Sequence, residues 1–349
     1  LLQEHPHADQ VTADRLAAQT EHCDALIAVG SGTINDLCKY VAARAAKPYA
    51  VFATAPSMNG YTSANAAISI DGHKKTLPAV SPTGVFIDLA VLTAAPARLI
   101  RAGLGDSSCR STAQIDWLLS HHLLGTPYRR APFDLLAGDE RGLLAEPNAL
   151  MRRDLDAMRR LARTLVLSGL GMTLCGGSYP ASQGEHLISH YIDMMAARER
   201  APFHHGEQVA VTTLTMARLQ QRMLASERPP ALGLTPATRA DLVAHYGPQV
   251  GDACWRELEP KMLSTREAVD RMNERLAKRW GAIVHACESV VIGHHLLEAT
   301  LAAAQAPIAP ESIALDTNFY AGAVRHAREL RNRYTFLDLA ADAADLPER

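Results

Sequence analysis

Three short apolar runs near the start of the chain restrict the fold more than any other feature. Residues 25–30, 49–54 and 84–92 are each bounded by glycine or proline, which predicts buried parallel strands. Residues 33–47 carry apolar side chains on one helical side and predict a helix between the first two strands. A strand, a helix and a second strand form a βαβ unit, so we expect an α/β fold here.

The pattern changes further along the chain. Residues 66–80 alternate around Asp71 and Gly72, which predicts an antiparallel hairpin on the sheet. After Pro96 the strand signals nearly stop, and helical periodicity predicts an almost all-helical remainder. We therefore expect two domains, residues 1–95 and 96–349, with a hinge near residues 91–100.

Composition excludes several classes of protein. The net charge of −2 and the apolar fraction of 48% are typical of globular proteins and argue against nucleic-acid or membrane partners. No apolar run is long enough to span a bilayer, and the first residues lack the features of a secretory signal. The six scattered cysteines form no CxxC pair, which predicts reduced thiols and a cytoplasmic location.

Two loops follow the first two strands. The turn "GSGT" begins at Gly30, where a glycine backbone and a helix N-terminus would hold a phosphate, or would simply make a tight strand-to-helix turn. Residues 53–66 are rich in small hydroxyl side chains, as in loops that line ligand crevices at strand ends or in surface Ω-loops.

Histidines and one aspartate form the third group of candidates. His186 and His190 lie one turn apart on a predicted helix. Asp106 lies at a predicted helix start, and His204 and His205 come just before another predicted helix. One carboxylate and two imidazoles suit a divalent metal with open positions, although histidines on an apolar face also serve as packed residues.

Basic residues form a fourth group. His73, Lys74 and Lys75 lie on the hairpin and Arg110 lies near Asp106, where they would be solvated or would meet an anionic substrate.

Taken together, these motifs resemble the iron-containing alcohol dehydrogenase superfamily, and within it the bacterial sn-glycerol-1-phosphate dehydrogenase branch. The resemblance rests on five segments in the family's order, with "RNRYTFLDLA" near the end, namely "AVGSGTINDLCKY", "TAPSMNGYTS", "GLGDSS", "SQGEHLISH" and "HGEQV". It implies a Rossmann-like nucleotide-binding domain over residues 1–95 and a helical metal- and substrate-binding domain over residues 96–349, as in the dehydroquinate synthase-like fold.

The resemblance also implies roles for residues. The metal ligands would be Asp106, His186 and His205, with His190 close to the nicotinamide and the substrate. The implied cofactor-binding residues are Gly30, Ser31, Gly32, Thr33, Asp36, Thr54, Ser57 and Thr62.

Some positions depart from the family pattern. Asn59 stands where relatives often have an aspartate that holds substrate hydroxyls, and an amide can still donate a hydrogen bond there. Arg110 stands where relatives often have Lys or His; it would bind a phosphate bidentately or pair with Asp116. Family members also carry a further stretch before the glycine turn, and a residue at the end of a strand in that stretch selects NAD or NADP. We therefore expect the front of the nucleotide-binding domain to be incomplete in this chain.

We therefore expect reversible hydride transfer between NAD or NADP and a polyol or polyol phosphate, with glycerol 1-phosphate and dihydroxyacetone phosphate foremost. One divalent ion would assist this hydride transfer, and we expect zinc rather than iron or nickel. Three alternatives stay open: a dehydrogenase for glycerol or another alcohol, a dehydroquinate-synthase-like lyase, and a non-catalytic nucleotide-binding relative. The resemblance further implies a homo-oligomer, and Lys75 with Arg110 would meet the substrate.

Overall fold

A computed structural model describes residues 6–70, 73–196 and 203–346. The strands are β1 (Leu26–Gly30), β2 (Tyr49–Ala53), β3 (Asn65–Ile70), β4 (His73–Pro78) and β5 (Gly84–Ile87). The helices in the first half of the chain are α1 (Gln10–Gln19), α2 (Gly32–Arg44), α3 (Leu89–Ala94), α4 (Ala97–Ser108), α5 (Arg110–Leu124), α6 (Ala131–Asp134), α7 (Ala137–Ala145), α8 (Pro147–Met151) and α9 (Leu155–Leu174). The later helices are α10 (Gly184–Met195), α11 (His205–Leu224), α12 (Arg239–Tyr246), α13 (Pro248–Leu258), α14 (Arg266–Glu288), α15 (His294–Ala303), α16 (Thr317–His326) and α17 (Phe336–Asp342). Short 3-10 turns cover Glu259–Lys261, Pro310–Ile313 and Ala327–Leu330.

The predicted parallel sheet is present. Strands β1, β2 and β5 are parallel and lie in the order β1-β2-β5, with Gly30 opposite Ala53 and Ala53 opposite Ile87. The carboxyl ends of all three strands therefore meet at one edge, which is where ligands bind in open α/β sheets.

Two details of the strand prediction are wrong. In the third apolar run the strand ends at Ile87, because the Asp88 side chain accepts hydrogen bonds from the backbone amides of Ala90 and Val91 and so caps α3. The strands are also not buried on both faces, since Ile27 and Val29 on β1 are 70% and 63% exposed. Side chains alternate across a strand, and Leu26 and Ala28 on the opposite face are the ones that enter the core.

The predicted hairpin is confirmed as the antiparallel pair β3–β4. Its predicted turn residues Asp71 and Gly72, with the side chains of His73 and Lys74, lie outside the described residues. Helix α1, which the apolar pattern did not suggest, begins where the Asp9 carboxylate accepts the Thr12 amide at 2.7 Å.

The all-helical prediction for the part after Pro96 is confirmed over the described residues. Helix α10 ends at Met195, and residues 197–200, which the pattern assigned to the same helix, lie outside the described part. None of the described helices is long and apolar enough to cross a membrane.

The apolar core has two main parts. One surrounds the sheet and continues into α4, α9 and α11 through residues such as Leu161 and Leu214. The other is enclosed by helices alone and includes Trp280 and Phe336. Helix α11 contributes to both, so it connects the sheet with the helical region.

Helices α4 and α11 touch through glycine. A Cβ atom added to Gly206 would lie 1.8 Å from the Ala102 carbonyl oxygen, and one added to Gly105 would lie 2.1 Å from the Gly206 carbonyl oxygen. The two backbones are therefore in direct contact where Asp106 and His205 follow or precede these glycines.

We expect Gly206→Ala to destabilise the fold by about 1–3 kcal/mol or more, because the new methyl group must push the α4 backbone away. Urea unfolding measures this. Gly281→Ala on α14 is the matched control, since nothing lies within 4 Å of its added Cβ and an exposed helical alanine should stabilise by about 0.5–1 kcal/mol. Equal effects of the two changes would contradict the close contact.

Candidate functional site

Three of the predicted residues converge on one point. The ligand atoms of Asp106, His186 and His205 lie within 4.8 Å of one another. Asp106 comes from the last turn of α4, so the prediction that it lies at a helix start is wrong. His186 comes from the first turn of α10 and His205 from the first residue of α11. A carboxylate oxygen and two imidazole nitrogens at this spacing fit a divalent transition metal with positions left for other ligands.

The electrostatics of this group favour a positive charge at its centre. Burial alone would raise the pKa of Asp106, but the hydrogen bond from His186 and the nearby imidazoles hold that pKa below its usual value. Burial would lower the pKa of His186, yet its bonds to Asp106, Cys109 and Glu185 raise it well above the ordinary value. The buried Asp106 carboxylate therefore favours a positive charge beside it, which a proton on His186 or a metal ion would supply.

Glu185 is a member of the site that the sequence analysis missed. Its Oε1 lies 2.9 Å from His186 Nδ1, and it accepts the Gln183 amide at 2.8 Å and the Thr112 hydroxyl at 3.2 Å. A carboxylate on Nδ1 keeps a proton there, so Nε2, which faces Asp106 at 3.5 Å, is the nitrogen that would give up its proton and donate its electron pair to a metal ion. The only sequence signal was a glutamate beside the candidate ligand.

Cys109 also lies near His186 and forms a second group with Glu185. Burial raises the pKa of its thiol to about 12, and its Sγ contacts the Ala181 carbonyl oxygen at 3.5 Å. The Cys109 thiol donates to a backbone carbonyl, and the Glu185 carboxylate already accepts from three donors, so this second group is less available to a metal ion. The Asp106 group is therefore the better metal site.

His205 and His190 lie on the other side of the group. The Ser189 hydroxyl lies 3.4 Å from His205 Nδ1 and donates to Gln208 at 2.7 Å. The His190 ring centroid is 6.1 Å from that of His186 and 6.2 Å from that of His205. His190 thus lies beside the three predicted ligands, as its position one turn after His186 predicted.

The loop after β2 reaches the same point. The backbone N–H of Asn59 donates to Asp106 Oδ2 at 2.7 Å, and the Asn59 side-chain Nδ2 lies 3.3 Å from Asp106 Oδ1. Asn59 therefore holds the carboxylate of a predicted ligand in addition to any contact with substrate.

The interpretation of this loop as a surface Ω-loop is wrong, because half of its residues are buried and none is exposed. Lys39, which the sequence analysis did not single out, is fully buried and donates to the Ser63 hydroxyl at 3.2 Å and to the Asn65 carbonyl at 3.1 Å. Thr62 donates to the Val166 carbonyl on α9 at 2.6 Å. The Thr54 amide donates to the Gly30 carbonyl at 3.1 Å, which joins this loop to the glycine turn.

The glycine turn lies at the same edge of the sheet. Strand β1 ends at Gly30, Ser31 is the extended N-cap residue, and α2 begins at Gly32. An added Cβ at Gly32 would lie 2.9 Å from the Met58 side chain, so the turn packs closely on the loop after β2. The first-turn amides, including that of Thr33, sit at the end of the helix that favours anions.

Ser57 lies in the loop after β2, within which the Tyr61 hydroxyl donates to the Ala55 carbonyl oxygen at 2.6 Å. Asp36 is engaged elsewhere, since its Oδ2 accepts the Ala67 amide of β3 at 3.1 Å and its Oδ1 lies 3.8 Å from Lys39 Nζ. The structure thus gives Asp36 a role in attaching the hairpin.

The predicted substrate residues are not brought together. Arg110 forms a salt bridge with Glu140 and lies over the Phe133 ring, so its pairing with Asp116 is not found. Asp116 instead accepts the backbone amides of Gly184 and Phe336. Lys75 is exposed on β4.

Comparison with known proteins finds relatives in sequence. Residues 1–96 match the family model described as iron-containing alcohol dehydrogenase. The glycerol-1-phosphate dehydrogenase [NAD(P)+] of Bacillus subtilis is 35% identical over 216 residues, which is 60% of this chain and 55% of that protein. The enzyme of the same name from Bacillus velezensis is 29% identical over 327 residues, which is 93% of this chain and 72% of that protein. The chain thus spans little more than half of the first relative.

Solved structures share the fold. A glycerol dehydrogenase from Schizosaccharomyces pombe superposes with a TM-score of 0.62 at 18% identity, covering 98% of this chain and 74% of that one. A maleylacetate reductase from a Rhizobium species superposes with the same TM-score of 0.62 at 15% identity, covering 99% and 80%. The fold is therefore the dehydroquinate synthase-like one that these proteins adopt. In sequence, the chain is similar to the iron-containing alcohol dehydrogenase family over residues 1–96 and to a glycerol-1-phosphate dehydrogenase over 327 residues.

Proposed function

We propose that this chain is a metal-dependent, NAD(P)-linked dehydrogenase that acts on the CH–OH group of a polyol phosphate, foremost glycerol 1-phosphate. The observation that carries the proposal is the convergence of Asp106, His186 and His205 beside the loop that follows β2. The names of the two Bacillus relatives support the substrate.

In this proposal Asp106, His186 and His205 hold the ion. A divalent ion bound there would supply Lewis acidity toward the reacting oxygen. Asn59 and Glu185 fix the Asp106 carboxylate and the His186 ring, so the ligand atoms keep their positions while substrate enters. The donor set suits zinc, and iron or nickel would also fit.

His190 is the residue that handles protons. It is partly exposed and lies beside two of the ligand rings, so its imidazole is placed to pass a proton between the site and water. The glycine turn at Gly30–Thr33 and the loop from Thr54 to Thr62 supply amides and hydroxyls for the nucleotide, and the proposal includes both NAD and NADP. Residues 1–95 would hold the nucleotide and residues 96–349 the metal and substrate, in a homo-oligomer.

The salt bridge of Arg110 with Glu140 favours a second candidate. An arginine that is already neutralised is poorly available to a substrate phosphate, so an unphosphorylated polyol such as glycerol is the alternative substrate. Turnover of both compounds, followed through NAD(P)H absorbance with added zinc, iron or nickel, decides between them.

Replacing His205 and His190 should have different effects. His205→Ala removes a ligand and should abolish metal binding and turnover, whereas His190→Ala should keep the metal and lower kcat by about 10²–10⁴-fold. Elemental analysis and NAD(P)H absorbance measure the two effects. Full activity of His205→Ala after treatment with a chelator would show that the proposed site is not the catalytic one.

Glu185→Gln should weaken metal binding by about 10–100-fold, because the neutral amide holds the His186 ring more weakly than a carboxylate and no longer raises the basicity of its Nε2. Competition with a chromophoric chelator measures the affinity. Glu329→Gln is the matched control, since the Glu329 Oε1 lies 3.0 Å from Nδ1 of His326, away from the three ligands. Equal metal affinity in both variants would contradict the positioning role of Glu185.

Arg110→Met should destabilise the fold by about 3–5 kcal/mol, since it leaves the Glu140 carboxylate without its cation in a mostly buried position. The double variant Arg110→Met/Glu140→Leu should recover most of that loss, as urea unfolding would show. The KM for glycerol 1-phosphate in the double variant should equal that of the unchanged protein. A large rise in KM in the double variant would show that Arg110 binds the substrate.

A further inference from the structure

A cavity of about 430 Å³ lies in the helical part of the protein, apart from the three predicted metal ligands. It is an open cavity bordered by the end of α5, the turn before α10, residues 260–263, the start of α14 and residues 332–334. Asp106, His186 and His205 do not line it. No lining residue precedes Ser120, so the sheet and the nucleotide loops do not take part in it.

The walls of this cavity are cationic. They include Lys261, Arg271, Arg275 and Arg333, and no aspartate or glutamate. Lys261 is neutralised by Asp338, whose carboxylate lies 2.9 Å from its Nζ. Among the residues that the structure describes, no carboxylate lies within 4.0 Å of the other three guanidinium groups.

Arg333 is held in place by neutral partners. Its guanidinium donates to the Ser182 carbonyl, lies 2.9 Å from the Ser178 hydroxyl and sits over the Tyr179 ring at 4.5 Å. Burial lowers the pKa of Arg333 to about 10, so it stays charged at neutral pH. The nearby carboxylates of Glu185 and Glu257 act on it only from beyond salt-bridge distance. A fixed guanidinium without a direct ion pair at a cavity wall is suited to bind an anion.

The remaining walls are apolar or amphipathic. Leu124, Met262, Leu263 and Met272 line the cavity beside Tyr179 and Tyr334. The volume falls at the lower end of the range for small-molecule sites, and it exceeds what a bare phosphate ion needs. The ligand that fits has a small carbon body and an anionic group that carries more than one charge.

We propose that this cavity is a second binding site, which takes a small organic phosphate. Three guanidinium groups without a carboxylate match a phosphate monoester, which carries close to two negative charges at neutral pH and several acceptor oxygens. The site is also connected to the first one, because the amide of the lining residue Gln183 donates to Glu185, which holds His186. The proposal does not depend on the catalytic function, since ligand binding is measured without turnover.

Isothermal titration calorimetry tests the proposal. The full chain, freed of metal and without nucleotide, is titrated with ribose 5-phosphate. Ribose and inorganic phosphate are the reference ligands, and we expect ribose 5-phosphate to bind more tightly than either. Equal affinity for inorganic phosphate would overturn the assignment to an organic ligand, and absence of binding would overturn the site.

The variant Arg271→Gln/Arg275→Gln should weaken ribose 5-phosphate binding by about tenfold or more, because two exposed guanidinium groups leave the wall. Arg266→Gln/Lys278→Gln on the same helix is the matched control, with the same change in charge but no lining residue. Equal affinities of the two double variants would overturn the proposal. A parallel rise in the KM for glycerol 1-phosphate in the first variant would make the cavity the substrate's own phosphate pocket, and would overturn a second site.

Discussion

Direct backbone contact between α4 and α11 is the constraint on which the candidate site depends. At Gly105 and Gly206 no side chain separates the two helices, and a single methyl group would overlap a carbonyl oxygen of the other helix. Asp106 and His205 are the immediate neighbours of these glycines, so the helix approach sets the distance between a carboxylate and an imidazole. Two helices held this closely in a packed core have little freedom to separate.

Buried carboxylates make a second set of constraints around α10. Glu185 accepts the Gln183 amide, and Asp116 accepts the amides of Gly184 and Phe336, which satisfies groups that would otherwise be costly to bury. Burial and the nearby Glu185 raise the pKa of Asp116 to about 8. The segment "RNRYTFLDLA" gains a physical role here, because it braces the turn that carries His186 through Phe336 and through the Arg333 contact with Ser182.

The sequence predicted the parallel strands, the hairpin, the helical second part and the identity of the three converging residues. Each of these rests on a local period or on motif order, which survive without coordinates. It did not predict that Arg110 would pair with Glu140, that Asp36 would hold β3, or that Lys39 would hold the loop after β2. These partners lie on other elements, and a charged residue shows no periodic sign of which distant carboxylate or carbonyl it will meet.

By itself, the sequence determined the types of donor that this chain carries and their order, because a strand-loop-helix pattern and a histidine one turn from another are local properties. Only the tertiary structure decided that Asp106, His186 and His205 lie within 4.8 Å of one another. It also decided that Glu185 turns His186 toward them, and that three arginines line a cavity without a carboxylate. The physical reason is that these distances are set by how helices from remote parts of the chain pack, and glycine contacts and buried hydrogen bonds determine that packing.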